Sequence, residues 1–267
     1  VELEMTFDEA TKLVRLSKQA QKSSMYGTYW YRSGINLSMK KELANIVTSI
    51  TDVFPLSDSD AWLDIACNDG TLLSHIPNHV KKIGIDPCDD SYLKESSKHG
   101  TIVQNYFTKD NYDSAFAGAA VTKAKVITCI AMFYDLDKPD VFIQDLYEVL
   151  DDNGILVLQM SYTPLMLQQL AFDNICHEHV YYYDLTSIKN LFNSHGFRVV
   201  DCSLNDTNGG SFRIYLQKDI ADVGSFATAP LRDVCEARVQ SILLYEKHVC
   251  DIRSTQTWEH FNNRLQQ

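Results

Sequence analysis

The run Asp64-Ile65-Ala66-Cys67-Asn68-Asp69-Gly70-Thr71-Leu72-Leu73 decides the fold. The residues before it, Ala61-Trp62-Leu63-Asp64-Ile65, read as a buried strand, and residues 71–76 as a helix. A strand that runs through a tight Asn/Asp/Gly turn into a helix brings its loop to the carboxyl edge of a sheet, where a ligand can approach the backbone. The loop holds one glycine, Gly70, whereas the loop that cradles a dinucleotide pyrophosphate carries two or three. It also carries Asp64 and Asp69, which repel phosphate.

Downstream of the loop, the strand at 83–86 ends Gly84-Ile85-Asp86-Pro87. A carboxylate there has two acceptor oxygens in one plane and can take both hydroxyls of a ribose. Acids in the loop and an acid at the next strand end suit an adenosine that carries a cationic sulfonium and an amino group better than they suit NAD. Further strands are expected at 101–103, 125–130, 154–158, 197–200 and 212–216, with helices at 92–98, 140–150 and 188–194. Strands alternating with helices imply βαβ units and a mostly parallel sheet. The last two strands are joined by a link too short for a crossover, so they pair antiparallel. The expected fold is α/β, a Rossmann-like seven-stranded sheet with an antiparallel last strand, an N-terminal helical cap and a C-terminal helical tail. Residues 1–58 form the cap. It comprises a helix over 7–20, where Leu13, Val14 and Leu16 mix with Lys and Arg, the aromatic stretch MYGTYWYRSG at 25–34, and a helix over 37–54. Residues 59–218 form the ligand-binding domain, with an active-site insert at 161–184. Residues 219–267 form the tail.

Composition narrows the partners. Of 267 residues, 45% are hydrophobic and 22% charged, as in ordinary globular chains. The net charge of −11 and the scattered Lys and Arg disfavour nucleic acid. No apolar run reaches the ~20 residues of a membrane helix. The seven cysteines form no C-x-x-C pair, which predicts reduced thiols, a cytoplasmic setting and no structural zinc. The chain begins at Val1 without an initiator Met, which suggests a processed protein or a domain of a longer one.

One more segment carries chemistry: Asp173-Asn174-Ile175-Cys176-His177-Glu178-His179. Read as strand-like, it puts His177 and His179 on one face. A metal site needs further ligands, and none stands at a recognisable spacing, so no metal is expected. Proton transfer by an imidazole beside a carboxylate is the preferred reading.

DIACNDGTLL, GIDP, MFYDLDKP, QMSYTPLMLQQLAFDNICHEHVYYYDL, HGFRVVD and NDTNGGSFRIYL follow one another along the chain. Together they resemble the nucleotide-sugar C-methyltransferases, S-adenosylmethionine-dependent enzymes that methylate a keto-sugar on the carbon beside its ketone. The likeness spans residues 26–216. It implies that Asp64, Ala66, Asn68 and Gly70 surround the methionine part of the cofactor and that Asp86 holds the ribose. Asn105 and Tyr106 lie beside the adenine, and Ile130, Ala131 and Met132 line the floor. His179 becomes the base, Glu178 orients it or stabilises the enolate, and Tyr31 reaches the same pocket. The product is S-adenosylhomocysteine, and the partner is a small-molecule acceptor such as a nucleotide-sugar. The assemblies expected are a homodimer or a larger parent polypeptide. Ala66 stands where the family usually has Gly, and Cys176 where many members have Tyr. The family's N-terminal zinc module and C-terminal domain are missing from these residues. Two alternatives accompany this reading. One is an O-methyltransferase for a small hydroxylated acceptor in capsule, polysaccharide or natural-product biosynthesis. The other is a non-catalytic cofactor-binding module of a larger polypeptide.

Overall fold

The structure, a computed structural model, describes residues 3–18, 31–115, 123–221 and 229–267. It opens on an antiparallel hairpin, β1 (Met5–Asp8) and β2 (Leu13–Leu16), where the apolar spacing predicts a helix. The reason is tertiary. Leu13 enters the large core and its neighbours Val14 and Leu16 a separate one, as the opposite faces of a strand require. A strand covered on both sides and a short helix share this pattern. Helix α1 (Leu37–Thr51) is capped by Asn36, whose side chain accepts from the Ser38 N–H at 3.0 Å. Its buried stripe, Leu43, Ile46, Val47 and Ile50, keeps helical spacing.

The main sheet follows. β3 (Ala61–Ile65), α2 (Thr71–His75), β4 (Lys81–Ile85), α3 (Asp90–Ser96) and β5 (Thr101–Val103) make two parallel crossovers. After α4 (Lys109–Ala115), the chain returns to the other side of β3 as β6 (Ala124–Ile130). α5 (Pro139–Val149) starts on Pro139, which has no N–H to leave unsatisfied in the first turn. Then come β7 (Leu150–Ser161), α6 (Thr163–Gln169), and β8 (Tyr181–Tyr182), which extends the hairpin sheet through β2. α7 (Leu185–Asn193), β9 (Phe197–Asn205) and β10 (Ser211–Lys218) complete the fold, followed by α8 (Ala229–His248) and α9 (Thr255–Leu265). The sheet order is β5-β4-β3-β6-β7-β10-β9, with β10 antiparallel to both neighbours. This is the expected α/β sheet. Helices α4 and α6 are additions to the sequence reading.

All five residues of β3 are buried. Ala61, Leu63 and Ile65 enter the core shared with α5 and α7, and Trp62 the one shared with α1. The strand order reverses between β3 and β6, and open α/β sheets bind ligands in the crevice outside the carboxyl ends of the strands at such a point. No helix among the described residues is long and apolar enough to cross a membrane.

Candidate active site

At this crevice lies a cavity of about 330 Å³, within the size range of small-molecule sites. Its deepest polar group is Asp64, the one acid in an otherwise apolar central strand. Asp64 pairs in register with Thr128 of β6, whose hydroxyl donates to Asp64 Oδ1 at 2.7 Å. The Trp62 indole N–H donates to Thr128 Oγ1 at 3.1 Å and so orients that hydroxyl. Burial pushes the Asp64 carboxyl up to about 7, and the nearby Asp86 charge adds to this against the Thr128 hydrogen bond. A cationic ligand group at this spot would draw the carboxyl into its ionised form.

The loop after β3 turns sharply. Ala66 (φ 59°), Asn68 (φ 52°) and Gly70 (φ 77°) all take left-handed conformations. Gly and Asn tolerate this, but the Cβ of Ala66 makes it costly. The turn brings the Asn68 N–H to Asp86 Oδ2 at 2.8 Å, while the Cys88 N–H reaches Asp86 Oδ1 at 2.8 Å. Both carboxylate oxygens are thereby aimed, and each keeps a lone pair for a ligand hydroxyl. Gly84 makes the close approach possible, since a Cβ there would lie 2.6 Å from Cys67 Sγ.

Ile130, Ala131 and Met132 line the opposite side at the end of β6. Tyr106 lines the rim and is 53% exposed. Two expected cofactor residues stand outside the lining. Gly70 packs against α3, where a Cβ would come within 2.7 Å of Ser96 Cα. Asn105 turns its side-chain oxygen back to accept the Tyr106 N–H at 2.8 Å.

The end of the aromatic segment is strapped over the loop. Asn68 Nδ2 donates to the Tyr31 carbonyl at 3.0 Å, the Ser33 N–H to Asn68 Oδ1 at 3.1 Å, and the Gly34 N–H to Asp69 Oδ2 at 2.8 Å. Arg32 donates to Ser91 Oγ at 2.6 Å and stacks its guanidinium 4.1 Å from the Tyr92 ring centroid. Tyr31 thus lines the cavity, and burial, then the Asp69 charge, raise its phenol above the usual value. Residues 25–30 of that stretch lie outside the described residues.

Residues 175–180 form an irregular loop, not a strand, so the two histidines owe their directions to the loop and not to strand parity. His179 is half-buried. Its Nδ1 lies 2.7 Å from the Asn174 carbonyl oxygen, and its ring centroid 4.2 Å from that of Tyr134. A carbonyl only accepts, so Nδ1 carries the proton. Tyr134 lines the cavity. His179 and its half-buried neighbour Glu178 are not lining residues; His179 is coupled to the cavity through Tyr134. Sequence reasoning missed Tyr134, Asp135 and Asn208, which also line the cavity. The first two sit in MFYDLDKP, and their place directly after β6 at the switch point was the available signal. Among the described residues, no group of three or more His, Cys, Asp and Glu could hold a metal ion.

Residues 36–201 match the family model of the methyltransferase domain, more than half of the chain. The chain belongs to this family, a methyltransferase on a Rossmann-like sheet. It is 24% identical over 212 residues to the C-methyltransferase NovU of Streptomyces niveus, a match that covers 79% of this chain. The chain spans about half the length of that curated relative, 50%. Among solved structures it is similar to the N-methyltransferase NodS of Bradyrhizobium japonicum, with a TM-score of 0.50 and 11% identity over 69% of this chain and 99% of that one. The plantazolicin methyltransferase BpumL, solved with a desmethylPZN analog and SAH, gives a TM-score of 0.51 and 12% identity over 67% and 84%. At these identities the structural likeness concerns the fold.

Proposed function

We propose that the protein transfers a methyl group from S-adenosylmethionine to an activated carbon of a keto-sugar or similar small metabolite, with His179 as general base. One observation carries the cofactor part of the reading: two carboxyl groups, Asp64 and Asp86, face a cavity at the switch point of a methyltransferase sheet. The charged residues that line it, Asp64, Asp86 and Asp135, are all acids among the described residues. This suits a ligand with an ammonium and a sulfonium and disfavours the pyrophosphate of NAD. Asp64 and the backbone around Ala66 and Asn68 would hold the methionine end, Asp86 the ribose, Tyr106 the adenine, and Ile130 to Met132 the floor. The bound cofactor supplies an electrophilic methyl on sulfur and leaves as S-adenosylhomocysteine.

This chain's part is to hold the acceptor and move one proton. His179 accepts the proton from the carbon beside the ketone on Nε2, because Nδ1 is already protonated toward Asn174. Glu178 orients the base and stabilises the resulting imidazolium, and Tyr31 closes the pocket from the strap. The carbon-acid reading is supported by the sequence resemblance and by the similarity to the C-methyltransferase NovU. The test incubates the protein with methyl-labelled cofactor and a panel of keto nucleotide-sugars and small hydroxylated acceptors, and locates the label by mass spectrometry. Label on carbon beside a ketone is expected. Label on oxygen makes the protein an O-methyltransferase, and the absence of label from every acceptor leaves the reading without support.

A further inference from the structure

Asn174 ends the short 3₁₀ turn Phe172–Asn174, five residues before His179. Its side chain touches its own loop and two separate segments. Oδ1 accepts from Ser161 Oγ at the end of β7 at 3.1 Å. Nδ2 donates to the Ala171 carbonyl at 3.3 Å and to the Asn208 carbonyl, in the turn between β9 and β10, at 3.4 Å. That turn is shaped to receive it. Asn208 is left-handed (φ 52°), and at Gly209 (φ 77°) a Cβ would lie 3.1 Å from Ala171 Cβ and 3.3 Å from Asn174 Nδ2. The main-chain oxygen of Asn174 is the acceptor for His179 Nδ1.

We propose that Asn174 is a positioning residue: its side-chain amide fastens the 171–180 loop to the sheet edge so that its own carbonyl holds His179 as the Nδ1–H tautomer, with Nε2 as the proton-accepting atom. The proposal rests on the reading of His179 as base. A peptide carbonyl can select a tautomer only while it stays within hydrogen-bond range, and an irregular loop does not keep that range by itself. Here the range is kept by bonds from one amide to the end of β7 and to the β9–β10 turn. Tyr134, its ring tilted 53° to the imidazole with centroids 4.2 Å apart, packs against it from the cavity side. The identity of the proton-bearing nitrogen is set by the partner of the other one.

Asn174→Asp in the full chain is the discriminating variant. It keeps an acceptor for Ser161 but removes both amide donors. Three quantities are read: the ¹⁵N shifts of His179 at alkaline pH, where imidazoles are neutral, assigned among the eight histidines by a His179→Gln control; kcat and KM for the acceptor that takes the label; and cofactor affinity by calorimetry. Wild-type protein should show the Nδ1-protonated pattern, and Asn174→Asp a mixed or reversed one. Turnover should fall about 10–100-fold, as a small misplacement of a reacting group does, with cofactor affinity unchanged. Retention of the wild-type tautomer in Asn174→Asp overturns the proposal, whatever the turnover. So does loss of cofactor affinity in step with kcat, which marks a structural role only. If His179→Ala keeps full turnover, the base reading fails instead, while the tautomer comparison still decides the role of Asn174.

Discussion

Asp64 links charge to both binding and stability. Its carboxyl is raised from 3.8 to about 7 in the folded protein, chiefly by burial. Its contribution to stability is therefore full below about pH 3.8 and is lost as pH rises through about 7, on the order of a few kcal/mol. Asp64→Asn should flatten this slope in denaturant unfolding measured across that range. An unchanged slope would put the titration elsewhere. An ammonium or sulfonium favours the ionised carboxyl, so cofactor affinity in the wild type should climb with pH below about 7, at most about tenfold per unit, and then level off. Calorimetry of Asp64→Asn should show weaker, pH-independent binding. At Asp86, the Ala variant should lose about 1.5–3 kcal/mol for each ribose hydrogen bond, and more if the Asn68 and Cys88 amides lose their hold on the loop. Unaltered affinity would remove Asp86 from the site. Ala66 was legible as a departure from the family's glycine, and its φ of 59° gives that departure a physical meaning. Ala66→Gly should raise unfolding stability by about 1 kcal/mol through relief of left-handed strain. A lower melting temperature would mean that the lost Cβ contacts outweigh it.

Among the elements, the β3 loop and the αβ alternation were legible because burial on both faces writes long apolar runs into central strands. Asp64 and Asp86 were legible for the same reason, as acids at the ends of such runs. The hairpin was not, because Leu13, Val14 and Leu16 have the same order in a doubly covered strand as in a short helix. The direction of His179 was also hidden. Its Nδ1 meets the Asn174 carbonyl, and the Asn174 side chain is bonded to Ser161 and Asn208, residues far apart in the chain that carry no periodicity. The C-terminal helices hide another such link. Glu246 of α8 is buried and caps α7 from about sixty residues away. One oxygen accepts from Tyr162 OH and the Leu185 N–H, and the other from the Thr186 N–H and hydroxyl. Glu246→Ala strands these donors in the interior, and each unsatisfied group costs ~1–3 kcal/mol, so the midpoint of chemical unfolding should drop sharply. A midpoint within error of wild type would show that α8 is not coupled to α7 through this carboxylate.

At the scale of the molecule, the sheet supplies a cleft with aimed acids, the strap from Tyr31 to Gly34 closes one side, and the 171–180 loop stands behind Tyr134 with the proposed base. Under the proposed function these parts serve removal of a proton from carbon followed by methyl transfer. Removal of that proton need not wait for the methyl group, so the proton step can be observed alone. The direct measurement is made in heavy water, with S-adenosylhomocysteine bound and with the keto-sugar that takes the label. Wild-type protein should exchange deuterium into the position beside the ketone. His179→Ala should bind the cofactor product normally and lose exchange, together with about 10²–10⁴-fold of turnover. Exchange that persists in His179→Ala, or that is absent from the wild type while an oxygen is methylated, would contradict the account.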